Sequence, residues 1–243
     1  MALVRRDVTT TFRIVVSPAP ESNDHQVRYL LSGKDLIAGL WGDMLGLDPD
    51  EVLMQPCPLL PSTARGPVTV ARCSCGVTGC GSEEVSLHEA NDVVRWMSKG
   101  KSLLSVDAGD YRREVIRALA DFSWETPDRT ASRLFKARFD PTRLEQAGLT
   151  LEWASGRVRR GKFTSSLRLR ENGLYQVLVS IPWRKLGLRR HSAPPDVVAN
   201  DLVAELSKSP DLWGDVEWSP MEQGLGPPGC AGPRWRPLTS AWS

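Results

Sequence analysis

The chain has 243 residues, with 31 Lys and Arg against 29 Asp and Glu and 41% hydrophobic residues, the composition of an ordinary globular protein rather than a collagen or a disordered tail. Its longest apolar stretches, such as 174–182, fall well short of the about 20 residues that cross a bilayer. Arg13 interrupts the apolar run nearest the start, leaving it too charged for a secretory leader, so a cytoplasmic protein without a membrane partner is expected.

The net charge of +2 hides an uneven distribution. Residues 1–100 carry 9 basic and 12 acidic side chains, 101–195 carry 19 and 10, and 196–243 carry 3 and 7. A basic middle attracts an anion, a nucleic acid or an acidic partner, or it is neutralised by the acidic ends. Five cysteines, an odd number, argue for reduced thiols or metal ligation rather than a disulfide framework.

In chain order, residues 8–16 and 26–31 read as strands of β-prone side chains. Gly33, Lys34 and Asp35 turn into a short helix over 36–40. Asp48 then caps a second helix with Pro49 at its first position and acids in its first turn, and Pro56, Pro58 and Pro61 keep it short. Strands over 67–73, 85–88 and 93–96 predict an antiparallel meander. A helix over 110–122 places Tyr111, Val115, Leu119 and Phe122 on one face, capped by Asp107 or Asp110.

The character changes after Trp124, which sets a first domain over 1–125 and a second over 126–218. In the second, strands over 149–153, 162–170 and 174–183 precede a helix that opens at Pro194, Pro195 and Asp196 and spaces Val198, Leu202 and Leu206 by four. Asn172-Gly173 is the hairpin signal between the last two strands. Residues 219–243 read as an irregular, peripheral Gly/Pro/Trp-rich tail. The expected fold class is α+β, mostly antiparallel sheets with a few packed helices, and most of the nine Trp are expected as core or edge anchors.

The segment from Cys73 to Cys80 has the highest density of reactive side chains. Cys73 and Cys75, two apart on a strand, share a face, and Gly76 and Gly79 supply the left-handed geometry that folds Cys80 back. Three thiols then converge, and His88 or Cys57 can provide the fourth ligand of a tetrahedral zinc site. The spacing departs from the usual C-x2-C to C-x4-C pairs, so a buried reduced hairpin and a redox or nucleophilic thiol stand beside zinc as readings.

Residues 68–96, with a strand, a C-x-C-G-x-x-G-C hairpin, a second strand and the ending Val94-Arg95-Trp96, resemble a set of uncharacterised, largely actinobacterial proteins with a similar hairpin and V-x-W ending. The resemblance covers about residues 26–122. It implies a fold unit and a bacterial origin, brings no catalytic residue, and leaves His88 outside the shared pattern.

Catalytic templates fail. Gly100-Lys101-Ser102 ends like a phosphate loop, but Arg95 stands where its first glycine belongs. G-x-S-x-G and H-E-x-x-H are absent, and His25, His88 and His191 are isolated in sequence. Arg157, Arg159, Arg160, Lys162, Arg168 and Arg170, followed by Arg184, Lys185, Arg189, Arg190 and His191, form a basic constellation near Trp153 and Trp183. Such a surface holds phosphate and stacks on bases, or is the Arg-covered outer face of a sheet. The expected function is therefore that of a non-enzymatic cytosolic bacterial protein that binds a protein partner, of the accessory or immunity-like kind. The alternatives are a nucleic-acid-binding protein using residues 157–191 and a zinc- or thiol-dependent enzyme at Cys73, Cys75 and Cys80.

Overall fold

The computed structural model of the protein describes residues 11–18, 25–75, 80–156, 158–171, 173–183, 185–186 and 191–238, with the backbone alone at 185–186 and 191–192. The fold is α+β with mostly antiparallel sheets. The chain divides into two compact units, Met1–Trp124 and Glu125–Ser243, each with its own buried cluster. Among the described residues no helix is long and apolar enough to cross a membrane.

The first unit opens with a sheet of β1 (Phe12–Pro18), β2 (His25–Leu31) and β3 (Lys34–Asp35). Alternation on β1 buries Phe12 and Ile14 while exposing Arg13 and Val15, the period-2 pattern of a half-buried strand. Asp35 caps α1 (Leu36–Trp41) by accepting from the Ile37 N–H at 2.9 Å. After β4 (Leu45–Gly46), Asp48 caps α2 (Pro49–Val52), accepting from the Asp50 N–H. The Val27 N–H reaches the Leu47 carbonyl at 2.8 Å. A Cβ on Gly46 would overlap the Val27 carbonyl, so this crossing requires glycine.

β5 (Val68–Arg72), β6 (Ser82–Ala90), β7 (Val93–Ser98) and β8 (Lys101–Asp107) follow, joining β4 in an antiparallel sheet ordered β4-β5-β6-β7-β8. The turn at Asn91 and Asp92, like the one at Lys99 and Gly100, has two consecutive left-handed residues, the conformation whose twist matches a two-residue hairpin. β8 was not among the expected strands. α3 (Ala108–Ala120) starts from the Asp107 cap and buries Tyr111, Glu114, Val115 and Ala118. Phe122, expected on its apolar face, lies past its end and is 45% exposed.

Trp96 anchors this core. Its ring meets Tyr29 edge-on at 4.8 Å and Phe12 at 5.9 Å. Its indole N–H donates to the Tyr111 hydroxyl at 3.1 Å, which in turn donates to the Leu59 carbonyl at 2.8 Å. Trp96 and Tyr111 are thus buried with their polar groups satisfied. Glu114 fastens α3 to β1: it accepts from the Ile14 N–H at 2.7 Å and from Arg13 and Arg117.

The second unit begins with helices, not with strands. α4 (Pro127–Arg138) and α5 (Thr142–Gln146) precede β9 (Leu149–Ser155), β10 (Lys162–Arg170) and β11 (Leu174–Pro182). β12 (Lys185–Leu186) and β13 (His191–Ser192) pair with each other, and α6 (Pro195–Leu206) follows. A 3-10 turn, Pro210–Leu212, leads to β14 (Val216–Pro220) and β15 (Trp235–Pro237). The sheet order is β15-β14-β11-β10-β9, antiparallel except for β14 and β15. Phe135 of α4, Phe163 of β10 and Leu202 of α6 share its core.

The stretch after Pro220 is irregular as far as Arg234 but not peripheral. Trp235 stacks on Trp213 with centroids 5.8 Å apart, and its N–H donates to the Pro210 carbonyl at 3.0 Å. A parallel strand and a buried indole tie it into the second core, which corrects the expected tail up to residue 238.

Candidate metal centre

β5 ends at Arg72, paired with Ser82 of β6. The Cys73 N–H then donates to the Gly81 carbonyl at 3.0 Å, adding one backbone bond beyond the strands and clamping the two stems of the loop. Cys80 is thereby held beside Cys73. Ser74 and Cys75 lie in a turn, so the turn, rather than the strand alternation expected for Cys73 and Cys75, aims the second sulfur. Gly76 and Gly79, expected to fold the loop, lie outside the described residues.

The three sulfurs converge: the Sγ atoms of Cys73, Cys75 and Cys80 all lie within 4.8 Å of one another, with Cys73 and Cys75 at 2.7 Å. Cys75 and Cys80 are exposed and Cys73 is half-buried, which corrects the reading of a buried hairpin. The Cys80 thiol is pushed up to about 11, first by its hydrogen bond with Cys75, then by that with Cys73 and by repulsion among the sulfurs. Three anions do not form side by side unless a cation compensates them, and a coordinated thiol loses its proton outright. The donor set is soft, which suits zinc or another thiophilic ion. A zinc tetrahedron with bonds of about 2.3 Å has edges of about 3.8 Å, so the Cys73–Cys75 pair must open by about 1 Å to hold it.

The structure does not bring His88 to this cluster. It lies on β6, opposite Arg95 of β7 and exposed, six residues beyond Ser82 and so about 20 Å along the strand at about 3.4 Å per residue. The expected Cys3His set is corrected to three cysteines. Cys57 is not the fourth ligand either: it is fully buried and its thiol donates to the Val52 carbonyl at 3.5 Å. Burial pushes that thiol up, as for a small hydrophobic core residue. Cys230 is half-buried in the second unit.

Three of the basic residues are paired. Arg159 forms an ion pair with Glu217, Lys162 meets Asp215 at 2.5 Å, and Arg168 is paired with Glu152. Arg160 and Arg170 are exposed, and Arg157 lies outside the described residues, as do Arg184, Arg189 and Arg190. Asp215 and Glu217 belong to the acidic end, so part of the charge asymmetry cancels within the second unit. Glu114 carries only one signal in the sequence, its position three residues after Tyr111, on the buried face of α3.

No family model matches the chain, and neither a curated protein nor a solved structure matches it.

Proposed function

We propose that the protein is a metal-dependent binding protein whose first unit holds zinc through Cys73, Cys75 and Cys80, with the fourth position open to a donor from solvent or from a protein partner. The convergence of three sulfurs within 4.8 Å at a loop clamped by the Cys73–Gly81 backbone bond is the observation that supports it. Zinc sites with three protein ligands keep an exchangeable fourth position, whereas closed sites use four.

Metal analysis of protein purified without added zinc tests this. The expected result is about one zinc per chain, lost on Cys75→Ser and retained on His88→Ala. Substitution with cobalt should give the intense visible bands of a tetrahedral thiolate site, shifted by added imidazole if the fourth position exchanges. Protein that takes up no metal, even after reduction and dialysis against zinc, overturns the proposal.

A further inference from the structure

The 2.7 Å between the Cys73 and Cys75 sulfurs lies between the bonded separation of about 2.05 Å and the about 3.8 Å that zinc requires. Cys75 and Cys80 are exposed to solvent and Cys73 is half-buried, but it is Cys75 that touches Cys73. The pair is therefore in contact within one turn, with an oxidant's path to Cys75 open. We propose that Cys73 and Cys75 form a peroxide-sensitive dithiol, whose oxidation to a disulfide excludes metal from the site.

The step balances with hydrogen peroxide as oxidant. The Cys75 sulfur attacks one peroxide oxygen, the O–O bond breaks, and the leaving hydroxide takes the thiol proton to become water; Cys75 is now a sulfenic acid. The Cys73 sulfur then attacks that sulfur, the S–S bond forms, the S–O bond breaks, and the departing hydroxide takes the Cys73 proton as a second water. Two thiols lose two electrons and two protons, and one peroxide is reduced to two waters. An external thiol reverses the change by exchange. Two of the three ligands are consumed, so a single thiolate remains at the site and the ion leaves.

The consequence for metal rests on the zinc reading; the disulfide does not, and the experiment separates the two. Metal-free, reduced protein is treated with equimolar hydrogen peroxide, the remaining thiols are alkylated, and the peptide running from Cys73 to Arg95, which trypsin releases after Arg72, is fragmented. The expected product is a loss of two mass units bridging Cys73 and Cys75, with Cys80 alkylated. Cys80→Ser should oxidise at a rate within about twofold of the parent, and the double variant Cys73→Ser/Cys80→Ser, which removes both neighbouring thiols, should stop at sulfenic acid. A bridge through Cys80, or protein joined only between chains, overturns the inference. In zinc-loaded protein the same treatment should release one zinc to a chromogenic chelator for each disulfide formed, restored by dithiothreitol and added zinc. Disulfide formation that leaves bound zinc in place overturns the coupling, whereas protein that never loads zinc but still forms the bridge fails the zinc reading alone.

Discussion

Arg159 holds Glu217 by both carboxylate oxygens, one N–H to each, reaching from the loop before β10 to β14 across 58 residues of sequence. Arg236 adds two more N–H donors to Glu217, at 3.2 and 2.8 Å.

That grip makes the second unit acid-sensitive. Hydrogen bonding from Arg159, opposed by burial and aided by Arg236, lowers the Glu217 carboxyl from 4.5 to about 2. A carboxyl lowered on folding contributes stability that is complete above its unfolded pKa and is lost as pH falls through its folded one. The window is therefore pH 4.5 down to about 2. Because Arg236 is 56% exposed, the contribution is on the order of 2 kcal/mol. Urea unfolding of the wild type should weaken across this window; Glu217→Gln should be weaker at neutral pH and lack this component of the slope. Equal slopes would remove Glu217 as the cause.

In the first unit, Glu114 is nearly buried while Arg13 and Arg117 are 62% and 42% exposed. Burial raises its carboxyl, but Arg117, the Ile14 N–H and Arg13 together outweigh this and hold it below the usual carboxylate range. Glu114→Ala leaves the Ile14 N–H without its acceptor, at a cost of about 2–3 kcal/mol. Glu114→Gln keeps an acceptor and should cost less. Hydrogen exchange at the Ile14 amide discriminates: protection should fall in the alanine variant and persist in the glutamine one.

Trp235→Ala should destabilise the second unit by about 3 kcal/mol, the usual cost of emptying a large buried side chain. Met221→Ala in the same stretch, 56% exposed, should stay within about 0.5 kcal/mol. Thermal unfolding of the two variants makes the comparison.

Metal uptake should be proton-coupled. The Cys80 thiol, pushed up to about 11, must shed its proton to ligate, so zinc affinity falls as pH falls, by about tenfold per pH unit for each proton displaced. Calorimetry in buffers of different ionisation enthalpy counts those protons. Cys80→Ser should weaken binding by at least about 100-fold, and His88→Ala should leave it unchanged.

Much of the architecture was legible where local rules agreed. Asp48 and Pro49 announced α2, and Asn172-Gly173 between two strand-like runs announced the hairpin of β10 and β11. α4 escaped although Pro127 and Asp128 mark a helix start, because its buried positions include Arg129 and Ser132, which break the apolar stripe. β8 escaped because a bulge between Trp96 and Met97 disturbs its pairing and Leu103-Leu104 interrupts its alternation. At the site, three cysteines within eight residues were visible as a cluster. The place of His88 depended on the register of Ser82 with Arg72, which no local pattern encodes. Likewise the blocks of charge could be counted, but the pairing of Arg159 with a residue 58 positions away could not.

The late position of Trp235 orders events during synthesis. The buried cluster of the first unit is complete once Ala118 has been made, while that of the second waits for Trp235. Translation runs from the amino end, and domains fold as units in that direction. A nascent chain therefore presents its three clustered thiols on a complete first core while the carboxyl-terminal sheet still lacks its last strand.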